Sequence, residues 1–204
     1  MGLDQFNGKR SAGPALSAWI LPLAIAATAF VIAAAGDAGR DALSYDRTAI
    51  LAGEVWRLLT GHVTHLGWPH LALNMAGLVL VWYLVAAYLV SSQWAIVLAI
   101  SAAGVDAGLW FFEPQLMGYV GLSGVLHGLL AAGIVAGLRT GNAEVRILGI
   151  VIVLKIGWEQ FFGPLPGSEE ASGGTVIVAS HAWGALAGAV CAAILIRVRA
   201  SSPI

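Results

Sequence analysis

The chain has 204 residues, of which 59% are hydrophobic and only 10% charged. Soluble domains carry about 25% charged residues, so this composition excludes an ordinary soluble domain and makes a lipid bilayer the solvent for most of the chain. A net charge of −1 leaves no basic surface for nucleic acid, and the lone cysteine, Cys191, excludes a disulfide and a cysteine metal cluster.

At about 20 residues per span, six apolar segments are legible, predicting an all-α membrane protein, a polytopic bundle of six transmembrane helices. The bundle would occupy 15–196, between an N-terminal segment 1–14 and a short tail 197–204. The first segment, 15–35, follows Lys9 and Arg10. Its apolar run exceeds the roughly 7–15 residues of a secretory signal core, which makes it an uncleaved anchor. A long loop follows, in which Arg40, Arg47 and Arg57 balance Asp37, Asp41, Asp46 and Glu54, and in which His62 reads as a plain interfacial residue. The second segment, 69–90, opens with His70 and Asn74, four residues apart and on one helix face. The third, 93–112, holds Asp106 and a Gly104-xxx-Gly108 face.

The fourth segment, 119–138, contains Gly121-Leu122-Ser123-Gly124 and then His127-Gly128. The fifth, 145–162, carries Lys155 and Glu159, spaced to neutralise each other; with Asp106 they read as structural or, alternatively, as substrate-docking residues. After it, Gly163-Pro164-Leu165-Pro166-Gly167-Ser168 through Gly173-Gly174 reads as a loop, either a cap over a site or an ordinary connection. The sixth, 176–196, holds His181, Gly184 and Gly188, with Cys191 as a small core residue.

Lys and Arg near span ends set orientation. Lys9 and Arg10, Arg139 and Arg146, and Arg197 and Arg199 fall on one side of a six-span bundle, which puts both termini in the cytoplasm. The second, fourth and sixth spans then all start outside. Asn74, Ser123 and His181 come out at a common depth, about 6–9 Å below the external edge at the helical rise of roughly 1.5 Å per residue.

A polar side chain in a membrane helix needs partners. A serine and a histidine at one depth supply each other with one, because a serine hydroxyl becomes a nucleophile only when a base takes its proton. Gly124-xxx-Gly128 and Gly184-xxx-Gly188 are small-residue faces on which the fourth and sixth helices can approach backbone to backbone. Acyl transfer also needs donors for the oxyanion. His70, Asn74 and the Ser123 amide, near a helix N-terminus, can supply them.

Trp56-Arg57, His65-x₄-His70-x₃-Asn74, Gly121-x-Ser123-Gly124 and His181-x₂-Gly184-x₃-Gly188 together resemble the rhomboid intramembrane serine proteases over residues 54–188. The resemblance implies a Ser123–His181 dyad without an acidic third member, with oxyanion stabilisation by His70, Asn74 and the Ser123 amide. Trp56, Arg57 and His65 would organise the first loop. Most rhomboids carry an aromatic residue where this chain has His127, which either stacks on His181, contacts substrate or tunes the base. Ser-Gly-x-x-His-Gly, with Lys155, Glu159 and Gln160 before Gly163-Pro164, resembles the rhombosortase branch. That branch implies a bacterial inner membrane and single-span substrates bearing a C-terminal Gly-Gly motif, a membrane helix and a basic tail.

No cofactor or metal is expected, since no carboxylate pattern accompanies His65, His70, His127 and His181 in a zinc-like set. A catalytically inactive rhomboid-like protein that binds membrane clients is the alternative; such proteins typically lose the serine or the histidine. A transporter would show inverted repeats, and none is visible.

Overall fold

The structure, a computed structural model, describes residues 16–201, with side chains from 18 to 198. Lys9, Arg10, the segment 1–14 and the Arg199 side chain lie outside the described residues. The chain is mostly helical: α1 (Ile20–Ala34), α2 (Gly36–Leu43), α3 (Arg47–Leu51), α4 (Arg57–Thr60), α5 (Trp68–Val85), α6 (Ser91–Phe112), α7 (Ser123–Gly137), α8 (Ala143–Phe162), α9 (Ser168–Ser172) and α10 (Val178–Ser201). Two short strands, β1 (Tyr45–Asp46) and β2 (Gly118–Tyr119), pair antiparallel.

Among the described residues, four helices are long and apolar enough to cross a membrane: Trp68–Tyr88, Ser91–Phe112, Ser123–Thr140 and Val178–Val198. α1 and α2 meet at a 116° bend and together make a fifth only if counted as one span. The bend falls at Gly36, whose φ of +63° suits glycine, and the chain beyond it turns polar (Asp37, Arg40, Asp41). α8 has the length for a span, 20 residues, but Glu144, Arg146, Lys155 and Glu159 lower its apolar character. Leu80, Tyr83, Phe111, Phe161 and Phe162 point outward. A bilayer accommodates such an apolar surface and water does not. The protein is a multi-pass membrane protein.

α7 is the central helix; Val125, Leu129 and Ala132 on it are buried, as are all its glycines. It packs most extensively on α10, and α5 and α6 flank it. The small-residue faces are what allow this. A Cβ added at Gly184 would fall on the Gly124 carbonyl oxygen, and one at Gly188 on that of Gly128. On the third span, a Cβ at Gly104 would strike Ala187 and one at Gly108 the Trp183 ring, both on α10. Below the site, Trp82 and Trp94 pack at 5.3 Å between ring centres within a core that includes Val97, Leu129 and the buried Cys191.

The segment between α2 and α5 is an ordered scaffold. The Arg47 guanidinium donates to the carbonyls of Leu109 (2.8 Å), Trp110 (3.2 Å), Glu113 (3.1 Å) and Leu116 (3.0 Å), so it gathers the carbonyls at and just past the end of α6. Arg57, buried, donates to Glu54 (2.6 Å) and to the carbonyls of Asp41 (2.8 Å) and Ser44 (2.9 Å). Trp56 Nε1 reaches the Ala42 carbonyl at 3.4 Å. Arg57 is spent inside the loop, and Arg47 joins the loop to the end of α6. β1 then pairs with β2, and the Gly121 N–H donates to the Gly61 carbonyl at 3.0 Å, which ties the scaffold to the strand of chain that leads into Ser123.

Three expectations need correcting. α7 starts at Ser123, not at 119, because 118–119 pairs with β1 and the chain then turns at Gly121 (φ +119°) before the helix begins; depth counted along a helix from residue 119 therefore does not apply to Ser123. His62 is buried rather than interfacial, with its Nε2 3.2 Å from Asp106 Oδ1 on α6 and its ring edge-on to Tyr119 at 5.7 Å. At the chain end, α10 continues past 196 to Ser201.

Candidate active site

Ser123 is the first residue of α7, and His181 lies in the first turn of α10. Because Gly124 and Gly184 let the two helix backbones meet one turn below, His181 Nε2 comes within 3.0 Å of Ser123 Oγ. That is hydrogen-bond range between a hydroxyl and an imidazole. The first-turn position also leaves the Ser123 N–H without an intrahelical acceptor.

His70 and Asn74 project from the start of α5 into the same cavity of about 270 Å³, which Ser123, His127 and His181 also line. His70 Nδ1 accepts from the Leu66 N–H at 3.3 Å, which leaves the ring proton on Nε2. Asn74 Nδ2 gives one hydrogen to the His70 carbonyl at 3.1 Å and keeps its second. Both donors converge beside Gly121. A Cβ there would lie 2.9 Å from His70 Nε2 and 3.7 Å from Asn74 Nδ2, and the φ of +119° is one that side-chain-bearing residues rarely adopt. Glycine at 121 keeps open the space in front of the donors.

His65 packs edge-on against His70 at 5.2 Å. Burial, reinforced by His70, holds the His65 imidazole down at about 4, so the ring is neutral near pH 7 and acts as a packing partner. Tyr119 Oη donates to the Gly121 carbonyl at 2.8 Å and so fixes the same turn.

His127, one turn after Ser123, does two things at once. Its ring stacks on His181 at 4.1 Å and 20°, and it makes polar contacts at both nitrogens: Nδ1 with the Ser123 carbonyl (2.7 Å) and Nε2 with Lys155 Nζ (2.7 Å). Lys155 and Glu159 are paired at 2.7 Å, as their spacing predicts. Their direction is the unexpected part. Glu159 is only 3% exposed, and its Oε2 lies 2.9 Å from His181 Nδ1. Both α8 residues belong to the rhombosortase-like pattern, but the motifs place neither among the catalytic or oxyanion residues. The i, i+4 spacing was the available signal, but nothing in the sequence says which neighbour that face meets.

His127, Glu159 and His181 bring metal-type ligand atoms within 4.8 Å of one another. Lys155 Nζ already stands among them, 2.7 Å from His127 Nε2, 2.7 Å from Glu159 Oε2 and 3.2 Å from His181 Nδ1. An ammonium in that position fills the place of a cation.

The 163–175 segment is no bare connection: it folds into α9, and Ser168, Ser172 and Thr175 from it form a wall of the cavity.

The family model of the rhomboid domain matches residues 52–198. The chain belongs to the rhomboid family. The match begins just before Trp56-Arg57 and takes in α4 with the later part of the scaffold, the four long apolar helices found among the described residues, and α8, so Ser123, His181, His70, Asn74, Lys155 and Glu159 all lie within the rhomboid domain. Rhomboids are intramembrane serine proteases, and a multi-pass bundle that sets a half-buried serine against a buried histidine accords with that chemistry. No curated protein matches the chain.

Proposed function

We propose that this rhomboid is an active intramembrane serine endopeptidase with Ser123 as nucleophile and His181 as general base. The observation that carries the reading is the 3.0 Å contact between Ser123 Oγ and His181 Nε2 in a cavity that also receives the His70 and Asn74 donors. Ser123 Oγ attacks the carbonyl carbon of the scissile peptide as its proton passes to His181 Nε2. The oxyanion that forms takes hydrogen bonds from His70 Nε2, Asn74 Nδ2 and the Ser123 N–H. His181 then returns the proton to the leaving amine. Water repeats the sequence on the acyl-enzyme and frees Ser123.

A peptide bond inside a helix is shielded and already hydrogen-bonded, so substrates are single-span proteins whose helix unwinds near the external face. Water reaches the site from that face. The chain crosses the inner membrane six times with both termini cytoplasmic, which counts α1 and α8 as spans. The Ser-Gly-x-x-His-Gly pattern, with Lys155 and Glu159, favours rhombosortase-type substrates ending in a Gly-Gly motif, a membrane helix and a basic tail. An inactive client-binding rhomboid is the weaker reading, since both Ser123 and His181 are present and in contact.

In proteoliposomes, purified protein is expected to cut a tagged single-span substrate once near its external end. Intact substrate beside folded enzyme contradicts the reading. A reporter fused after residue 204 should read cytoplasmic, and an external signal would overturn the topology. Asn74→Ala should lower kcat with little change in KM, because an oxyanion donor acts in the transition state. Single donors are worth about 10²–10³-fold, and sharing with His70 and the Ser123 amide reduces this to about tenfold. An unchanged kcat would return Asn74 to a structural role.

A further inference from the structure

Resting on the reading of Ser123 and His181 as the reacting pair, we infer that Glu159 is the third member of the site, a positioning carboxylate on Nδ1 of His181 whose charge is balanced by Lys155. The proton inventory leads there. For His181 to act as a base, Nε2 must accept from the Ser123 hydroxyl (3.0 Å), which puts the ring proton on Nδ1. Nδ1–H then donates to Glu159 Oε2 at 2.9 Å. Lys155 Nζ lies 3.2 Å from that same Nδ1, yet an ammonium has only donors and cannot bond an N–H. Its hydrogens go to Glu159 Oε2 (2.7 Å) and to His127 Nε2 (2.7 Å). His127 must therefore carry its proton on Nδ1, where it donates to the Ser123 carbonyl at 2.7 Å. The bonds close a ring that leaves the serine side chain and returns to the serine backbone, and each member is held in one protonation state.

The charges explain why the carboxylate is needed. When His181 takes the serine proton it becomes an imidazolium 3.2 Å from an ammonium. Two cations at that distance, in a site of low dielectric, oppose the proton transfer. Glu159 Oε2 lies against both and offsets that repulsion. Lys155 in turn keeps a carboxylate that is 3% exposed from standing unpaired in the resting enzyme. The groups facing His181 are thus Ser123 and His127 from α7 and Lys155 and Glu159 from α8. A pair that served only to hold α8 in place would have no reason to close on Nδ1 of the base.

The test compares rates of fluorophosphonate labelling of Ser123 in the purified full chain for wild type, Glu159→Gln and Lys155→Met/Glu159→Gln, with thermal midpoints to verify folding. Loss of a triad acid costs about 10⁴-fold in serine proteases, and Glu159→Gln, which keeps the shape, should label roughly 10³-fold more slowly than wild type. Removing the now uncompensated ammonium as well should restore at least about tenfold of that loss with the thermal midpoints little changed, whereas for a merely structural pair the labelling rates would follow the midpoints. A Glu159→Gln rate within about threefold of wild type, or a double variant no faster than the single, overturns the inference. Should Glu159→Gln not fold, the charge-free double variant decides: labelling about tenfold or more below wild type supports the role of Glu159, and anything nearer contradicts it. Wild-type protein that does not label at Ser123 refutes the protease reading itself, whereas normal wild-type labelling with a silent Glu159→Gln refutes only the role of Glu159.

Discussion

Ser123→Ala is expected to abolish cleavage of a single-span substrate, by about 10⁵-fold or more, while the thermal midpoint falls by no more than about 2–4 °C. The size follows from the chemistry: knocking out the nucleophile of a serine protease costs on the order of 10⁶ in kcat, because no other group supplies the covalent step. The stability follows from the geometry. The substitution removes one oxygen that faces the cavity and bonds His181 Nε2, and it leaves the packing of Gly124 on α10 untouched. A lost hydrogen bond of this kind is worth about 1 kcal/mol. Activity in Ser123→Ala at a tenth of wild type or more would contradict the assignment.

Gly184→Ala is expected to produce the opposite pattern, a large loss of stability together with activity. The added methyl lands on the Gly124 carbonyl oxygen, which is backbone and cannot swing aside, so α7 and α10 must separate. Overpacking alone costs about 1–3 kcal/mol. Separation also opens the Ser123–His181 contact one turn away, and a misplacement of about 1 Å is enough to cost roughly 10²-fold in rate. Gly157→Ala on α8 is the control, since a Cβ there meets nothing within 4 Å and a mid-helix glycine is about 1 kcal/mol worse than alanine. Thermal denaturation in detergent should show a clear drop for Gly184→Ala and none for Gly157→Ala. Equal midpoints for the two variants would show that the Gly124–Gly184 approach is not what sets the helix spacing.

The parts of the site that were legible in the sequence are those with a fixed helical spacing. Gly124-xxx-Gly128 and Gly184-xxx-Gly188 give the close approach directly, and with it the meeting of Ser123 and His181. What depended on chain between helices was not legible. Residues 118–122 (Gly-Tyr-Val-Gly-Leu) are apolar, so hydropathy runs straight through them into α7. Pairing of Gly118 and Tyr119 with Asp46 and Tyr45, more than seventy positions earlier, and the turn at Gly121 keep them out of the helix. The loop before α5 reads as long and charge-balanced, but its charges alone do not say that Arg47 reaches the end of α6 while Arg57 cross-links the loop. Asp106 and His62 each looked solitary because their partner sits on another element. Glu159 shows the same limit at the site itself. Its spacing from Lys155 reads as a local pair, but only the packing of α8 against α7 and α10 turns that pair toward His181. His127 offered two roles in the sequence, stacking or polar contact, and in the structure both nitrogens and the ring face are used.

The most direct test of the central claim, that Ser123 is a nucleophile activated by His181, is the site of covalent modification by a fluorophosphonate or isocoumarin. Purified protein is treated with the probe, digested and mapped by mass spectrometry. One adduct on the Ser123 hydroxyl, absent in folded His181→Ala, is the predicted result. Folded wild-type protein that carries no adduct, or carries it on another residue, would contradict the account.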